Sequence, residues 1–218
     1  MATLSQVEHH QALRERLVDA TSELIAEVGW SRVTMGRLAE RVGVSRQTVY
    51  NEIGAKPQLA ETVIAVELER FLAVVSAAFD ASPTDLTKAV RKSCRAVLER
   101  AQDNQVLHAV VSATHGADTD LLPFLTTHAQ PLLEACRAVI RARVVSYEEL
   151  LTQRQVEALI DMVVRTVLSQ VMQPSGSPRA TADDLAWIVE SVLVAERGRR
   201  ADDAVDAITA VPAPRGGD

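Results

Sequence analysis

With 218 residues and 47% apolar content, the chain is long enough to bury one or two compact cores, so it belongs with globular rather than disordered proteins. Its net charge of -6 argues against a protein that coats nucleic acid regardless of sequence, because that task needs broad positive surfaces. Cys94 and Cys136 show no metal or redox spacing and are expected as buried free thiols of a reducing cytoplasm. The chain opens with no charged-then-apolar signal, and no apolar run approaches the roughly 20 residues that span a bilayer, so the expectation is a soluble cytoplasmic protein without a membrane partner.

The first pattern is an amphipathic helix from Leu13 that exits at Gly29-Trp30, after which Val33-Thr34 opens a second helix. Ala39, Gly43 and Val49 then stand at i, i+4 and i+10, the spacing of a helix-turn-helix. The small residue lets two helices approach, the glycine takes a left-handed turn, and the β-branched residue packs the second helix on the first. Leu38, Val42 and Val44 supply the rest of a small core, and Ser45 is placed to cap the second helix. Arg46, Gln47 and Thr48 are left in its first exposed turn, the part of such a motif that faces base edges in the major groove. Tyr50 and Asn51 add groups suited to phosphates. Gly54-Ala55-Lys56-Pro57 restarts a helix, with Lys56 expected at the cap and Pro57 at the first helical position, a lysine beside a positive dipole end. From Trp30 to Lys56 there are five basic residues (Arg32, Arg37, Arg41, Arg46, Lys56) against two acidic ones (Glu40, Glu52), a local exception in an acidic chain.

From Leu13 to about Leu59 these motifs, with Gly-Val-Ser-Arg-Gln-Thr-Val-Tyr at their centre, resemble the tetracycline-repressor (TetR) family of transcription regulators. The resemblance implies that Thr34, Ser45, Tyr50 and Lys56 hold phosphates while Arg46, Gln47 and Thr48 lie nearest the bases. Ile53 stands where an aromatic often follows this tyrosine segment, and Ala55 replaces a usual serine or proline, removing a capping hydroxyl. Val44 to Glu61 is similar to actinobacterial members linked to alkane and fatty-acid genes.

Past residue 60 the periodicity is helical throughout. Ala60 to Phe79 is expected as one long helix, and Ser82-Pro83-Thr84-Asp85 as a capping box opening the next, with Leu86, Val90, Cys94, Val97 and Leu98 on its face. Asn104 to His115 follows, stopped at Gly116, then an apolar stretch from Leu121 to Val145 broken near Pro131. Thr152 to Gln155 is a second capping box, ahead of a broad stripe from Val156 to Val171. Thr181, with Asp184, is expected to cap a last helix, and Arg197 onward to be a frayed tail. The fold class is therefore all-α, about nine helices without a sheet. Its expected parts are a helix-turn-helix domain (1–55), a helical ligand-binding and dimerisation domain (56–196) and a flexible tail (197–218).

The stripe is wider than one neighbouring helix covers, so beyond core it offers a dimer face: Leu159, Val163, Val167 and Val171, with Leu185, Ile188, Val189 and Val192 of the last helix. A two-fold dimer doubles the base contacts of one helix-turn-helix and reads a palindrome. The helical body is expected to hold a small apolar effector, fatty-acid-like or alkane-like, because only 3% of residues are aromatic and stacking platforms are scarce. Candidate lining residues are Phe71, Phe124 and Met162, with His108, His115, His128 and Arg165 as polar anchors. No HExxH spacing, Gly-rich phosphate loop or Gly-x-Ser-x-Gly elbow occurs, and His9-His10 is expected to be solvated, so no catalytic residue, metal or cofactor is expected. The reading is a ligand-responsive regulator, most simply a repressor that binds a double-stranded palindromic operator as a homodimer. The alternatives are an all-helical carrier or enzyme with a coincidental helix-turn-helix, or a non-specific DNA-binding protein.

Overall fold

The computed structural model describes residues 4–112, 129–147 and 151–209 and contains nine α-helices and no strand among them. α1 (Leu4–Val28) leads through a 3-10 turn at Trp30–Arg32 into α2 (Met35–Val42) and α3 (Arg46–Ile53). The body comprises α4 (Lys56–Asp80), α5 (Leu86–Gln102), α6 (Gln105–Ser112), α7 (Ala129–Val144), α8 (Gln153–Met172) and α9 (Pro178–Thr209).

The N-terminal core is built around Leu17, Val18, Trp30, Leu38, Val49 and Leu59, all buried. Removing each aliphatic side chain from water contributes roughly 1.5–3 kcal/mol, which a 55-residue module needs because its surface is large for its volume. This core does not stop at residue 55. Leu59, Ala60 and Val63 of α4 belong to it, and so do Val106 and Val110 of α6. The two expected domains therefore share apolar packing through α4 and α6. In the body, α5 lies against both α4 and α9, with α7 and α8 closing the other side. The Tyr147 hydroxyl donates to the Ser82 carbonyl at 2.8 Å and its ring meets Phe79 edge-on at 6.0 Å, fastening the end of α7 to the α4–α5 turn.

Helix starts follow local chemistry, sometimes a residue or more from where the letters alone put them. Thr152 caps α8 and its box partner Gln155 reaches back to the Thr152 N–H at 2.8 Å, as expected. α5 is capped by Asp85, whose carboxylate accepts from Lys88 N–H at 2.9 Å, whereas Ser82 is buried in the preceding turn. α9 begins at Pro178 with the Ser177 hydroxyl accepting from Ala180 N–H, so Thr181 lies inside the helix. At α4 the cap is Ala55, one residue before Lys56; its N–H donates to Gln58 Oε1 at 3.0 Å, while residue 55 has no hydroxyl to accept from the Gln58 N–H. Pro131 falls in the first turn of α7, where its lack of a donor costs nothing. α9 continues to Thr209, so residues 197–209 extend a helix rather than fray from it.

Candidate nucleic-acid interface and apolar cavity

The turn between α2 and α3 forms as its spacing requires. Gly43 adopts φ 77° and ψ 36°, Ala39 and Val49 are buried against each other's helices, and the Gly43 N–H returns to the Ala39 carbonyl at 2.9 Å. Thr34 and Ser45 cap α2 and α3, accepting from Arg37 N–H at 3.2 Å and Thr48 N–H at 3.0 Å. Ile53 is buried in the core, so its departure from an aromatic is a packing change.

Most of the proposed DNA-facing side chains are exposed on one module, in ordered pairs one helical turn apart. Arg46 lies over the Tyr50 ring at 5.4 Å and donates to its hydroxyl at 3.2 Å. Gln47 and Asn51 are joined by an amide–amide hydrogen bond of 2.8 Å. Thr48 is half-buried, its hydroxyl 2.8 Å from that of Ser45. The Lys56 ammonium stands over the Trp30 ring at 4.9 Å and donates to the Ser31 carbonyl at 3.3 Å, which holds the positive charge at the start of α4. Arg41 is engaged differently. It pairs with Glu23 and Glu27 of α1, and its hydrogen bond holds the Glu27 carboxyl below the usual carboxylate range. The basic excess that faces outward is thus smaller than the sequence count.

The described helices of the body line an apolar cavity of about 660 Å³, within the range of small-molecule sites. α4, α5, α6, α7 and α8 all contribute to its wall, which includes Phe71, Phe79, Leu133 and Ile140. Ile64, Val106 and Val110 line it while also packing into the N-terminal core. Both cysteines line it too; burial pushes the Cys94 thiol up to about 12 and the Cys136 thiol up as well. Among the described residues Glu67 is the one charged side chain in the wall. It is 8% exposed and accepts from Arg70 at 2.7 Å, Asn104 at 2.6 Å and Arg100 at 3.5 Å. Arg70 continues to Asp19 of α1.

The sequence-derived pocket residues are placed unevenly. Phe71 lines the cavity. Met162 is 65% exposed and outside the wall. Arg165 is engaged by Asp161 at 3.0 Å on the surface, and its hydrogen bond is the main cause of the lowered Asp161 pKa. His108 faces a separate crevice of about 60 Å³ beside Pro174 and Thr181. His115, Phe124 and His128 lie outside the described residues. Glu67 and Asn104 were missed because a lone glutamate between Val66 and Leu68 looks solvated in one dimension.

The expected dimer-face residues lie mostly within the chain. Val163, Val167 and Val171 line the cavity. Leu185 and Val189 are buried within the chain, and Leu159 and Val192 pack against the same internal clusters. Of the eight, Ile188 is exposed, at 45%. The hollow itself requires the broad apolar stripe that the sequence suggested for a partner. The exposed large apolar residues of these helices are Met162 and Leu168 of α8 and Trp187, Ile188 and Val194 of α9.

Comparison with known proteins joins the two halves. Residues 17–63 match "Bacterial regulatory proteins, tetR family", and residues 85–191 match "Bacterial Tetracyclin repressor, C-terminal domain", together well over half the chain. The chain is 29% identical over 178 residues to the HTH-type transcriptional regulator AlkX of Mycobacterium tuberculosis, covering 81% of this chain and 83% of that protein. Its fold is similar to the TetR-family repressor AlkX of a Dietzia species, implicated in biodegradation of n-alkanes (TM-score 0.67, 24% identity, 82% of this chain and 96% of the other). It is also similar to Bacillus subtilis FadR in complex with stearoyl-CoA (TM-score 0.55, 14% identity, 80% and 96% covered). The two matches cover the helix-turn-helix head and most of the helical body, and the chain belongs to the TetR family of transcriptional regulators.

Proposed function

We propose that this protein is a cytoplasmic repressor that binds a palindromic operator as a homodimer and is released when an aliphatic molecule fills its cavity. The observation that carries the reading is the double membership of Ile64, Val106 and Val110, which line the cavity and pack into the core under the recognition helix. A ligand changes operator affinity only by binding one conformation better than another. Filling the cavity spreads these side chains, and α4 carries the displacement into the head. Two heads must sit about 34–36 Å apart to enter successive major grooves, so a small tilt of α4 is enough to weaken binding. The wall of Leu, Val and Ile suits a flexible chain, and the long-chain ligand of the FadR relative makes such molecules the natural probe.

The homodimer in this proposal uses the exposed face of α8 and α9. Trp187, Ser191 and Val194 fall at i, i+4 and i+7 with Ile188 beside them, and Met162 is a further exposed apolar residue, on α8. An exposed tryptophan in such a patch is the residue type that anchors interfaces. The test is fluorescence anisotropy of an operator fragment from the neighbouring promoter. Binding at nanomolar dimer concentrations is expected, with loss of binding on titrating chains of increasing length. If no chain length alters affinity, the aliphatic part of the proposal is wrong; if the protein shows no preference over scrambled DNA, the operator part is wrong.

A further inference from the structure

We infer that the effector carries a neutral hydroxyl head, as in a long-chain alcohol, and that the cavity selects against the corresponding carboxylate. This rests on the aliphatic-effector reading above and specifies the polar end of the molecule. Within the described wall, polar side chains are few: Glu67, Asn104 and Ser93. Ser93 is already committed, donating to the Ala89 carbonyl at 2.8 Å. What remains is a carboxylate acceptor and an amide side by side, Glu67 Oε2 and Asn104 Nδ2 at 2.6 Å.

A carboxylate offers about four acceptor positions and a primary amide two donors. The three protein bonds to Glu67 leave one acceptor position, and the bond from Asn104 leaves one amide hydrogen. A hydroxyl has one donor and two acceptor lone pairs, so it can satisfy Glu67 and Asn104 at once. A fatty carboxylate has no donor, and it would bring a second negative charge beside Glu67 in an apolar surround. Neither Arg70 nor Arg100 is among the described wall residues; with Glu67 and Asp19 they form a network of two positive and two negative charges, so an added carboxylate finds no cation of that network in excess. The contact also has a route to the head, because Glu67 shares Arg70 with Asp19 of α1.

The test uses the full-length protein on its operator with three probes of equal chain length: a 1-alkanol, its methyl ether and the n-alkanoate. The alkanol is expected to release DNA at a concentration at least about tenfold below the alkanoate, the scale of one unmatched buried polar group, with the ether between them. In Glu67→Gln, which removes the charge, the gap between alkanol and alkanoate should shrink several-fold. An alkanoate as effective as the alkanol on the unmodified protein overturns the hydroxyl head while leaving the aliphatic reading standing. Silence from all three chains overturns the aliphatic reading itself. The comparison on the unmodified protein decides the matter even if Glu67→Gln fails to fold.

Discussion

At the recognition helix the side chains are organised before DNA arrives. The Gln47–Asn51 bond leaves one outward acceptor and one outward donor whichever amide does the donating, and adenine presents the complementary pair, an N6 donor and an N7 acceptor. Gln47→Ala should therefore relax preference at one or two positions per half-site, as read by binding to a library of single-base operator variants. If the Lys56 charge serves the phosphate backbone, Lys56→Ala should weaken all sequences alike and make the salt slope shallower by about one unit per head. Equal losses on operator and scrambled DNA for both variants would reverse these roles. The cysteines give a second residue-scale expectation. With its thiol pushed up to about 12 from 9.0, Cys94 stays protonated at neutral pH and should react with thiol reagents far more slowly than in unfolded protein. Because the folded-state value is the higher one, its contribution to stability is intact below pH 9 and is lost only as pH climbs toward 12. Occupancy of the cavity should slow labelling of Cys94 and Cys136 further, which mass spectrometry can follow.

At the scale of elements, two glycines seven residues apart in the helix-turn-helix should respond oppositely to one substitution. A Cβ at Gly43 meets nothing within 4 Å, so Gly43→Ala is penalised by its φ of 77° alone, by about 1 kcal/mol or somewhat more. Gly36 lies inside α2 without a positive φ, and its nearest neighbour would be Thr34 Oγ1 at 3.9 Å. Gly36→Ala should stabilise by roughly 0.5–1 kcal/mol through helix propensity. Chemical denaturation of the two variants checks both signs. α4 and α6 are the elements that make the head and body interdependent, since both place side chains in the N-terminal core and in the cavity wall. A fragment ending near residue 55 would leave that core without Leu59, Val63, Val106 and Val110, and it should be poorly folded by circular dichroism.

For the whole molecule, assembly and cavity separate two substitutions that look alike in the sequence. Trp187→Glu puts a charge on the exposed apolar face and should give monomers by sedimentation, with operator affinity falling accordingly. Val167→Asp puts the charge in the cavity wall, so it should abolish the response to aliphatic chains and lower stability by several kcal/mol without first dissociating the dimer. Monomers from Val167→Asp at unchanged stability would restore the original assignment of that stripe.

The amino-acid sequence alone determined what depends on near neighbours. Ala39, Gly43 and Val49 dictate the turn, Ser45 and Thr152 the caps, and the 3.6-residue period the all-helical class, because each is decided within one or two turns of chain. The family was legible there for the same reason. Tertiary structure decided what the apolar stripe on α8 faces, since a cavity wall and a partner helix ask for the same residues at the same spacing. It also decided the polar end of the cavity. Glu67 meets Arg100 and Asn104 from 33 and 37 residues away, and no local pattern distinguishes a carboxylate held by such distant partners from one in water.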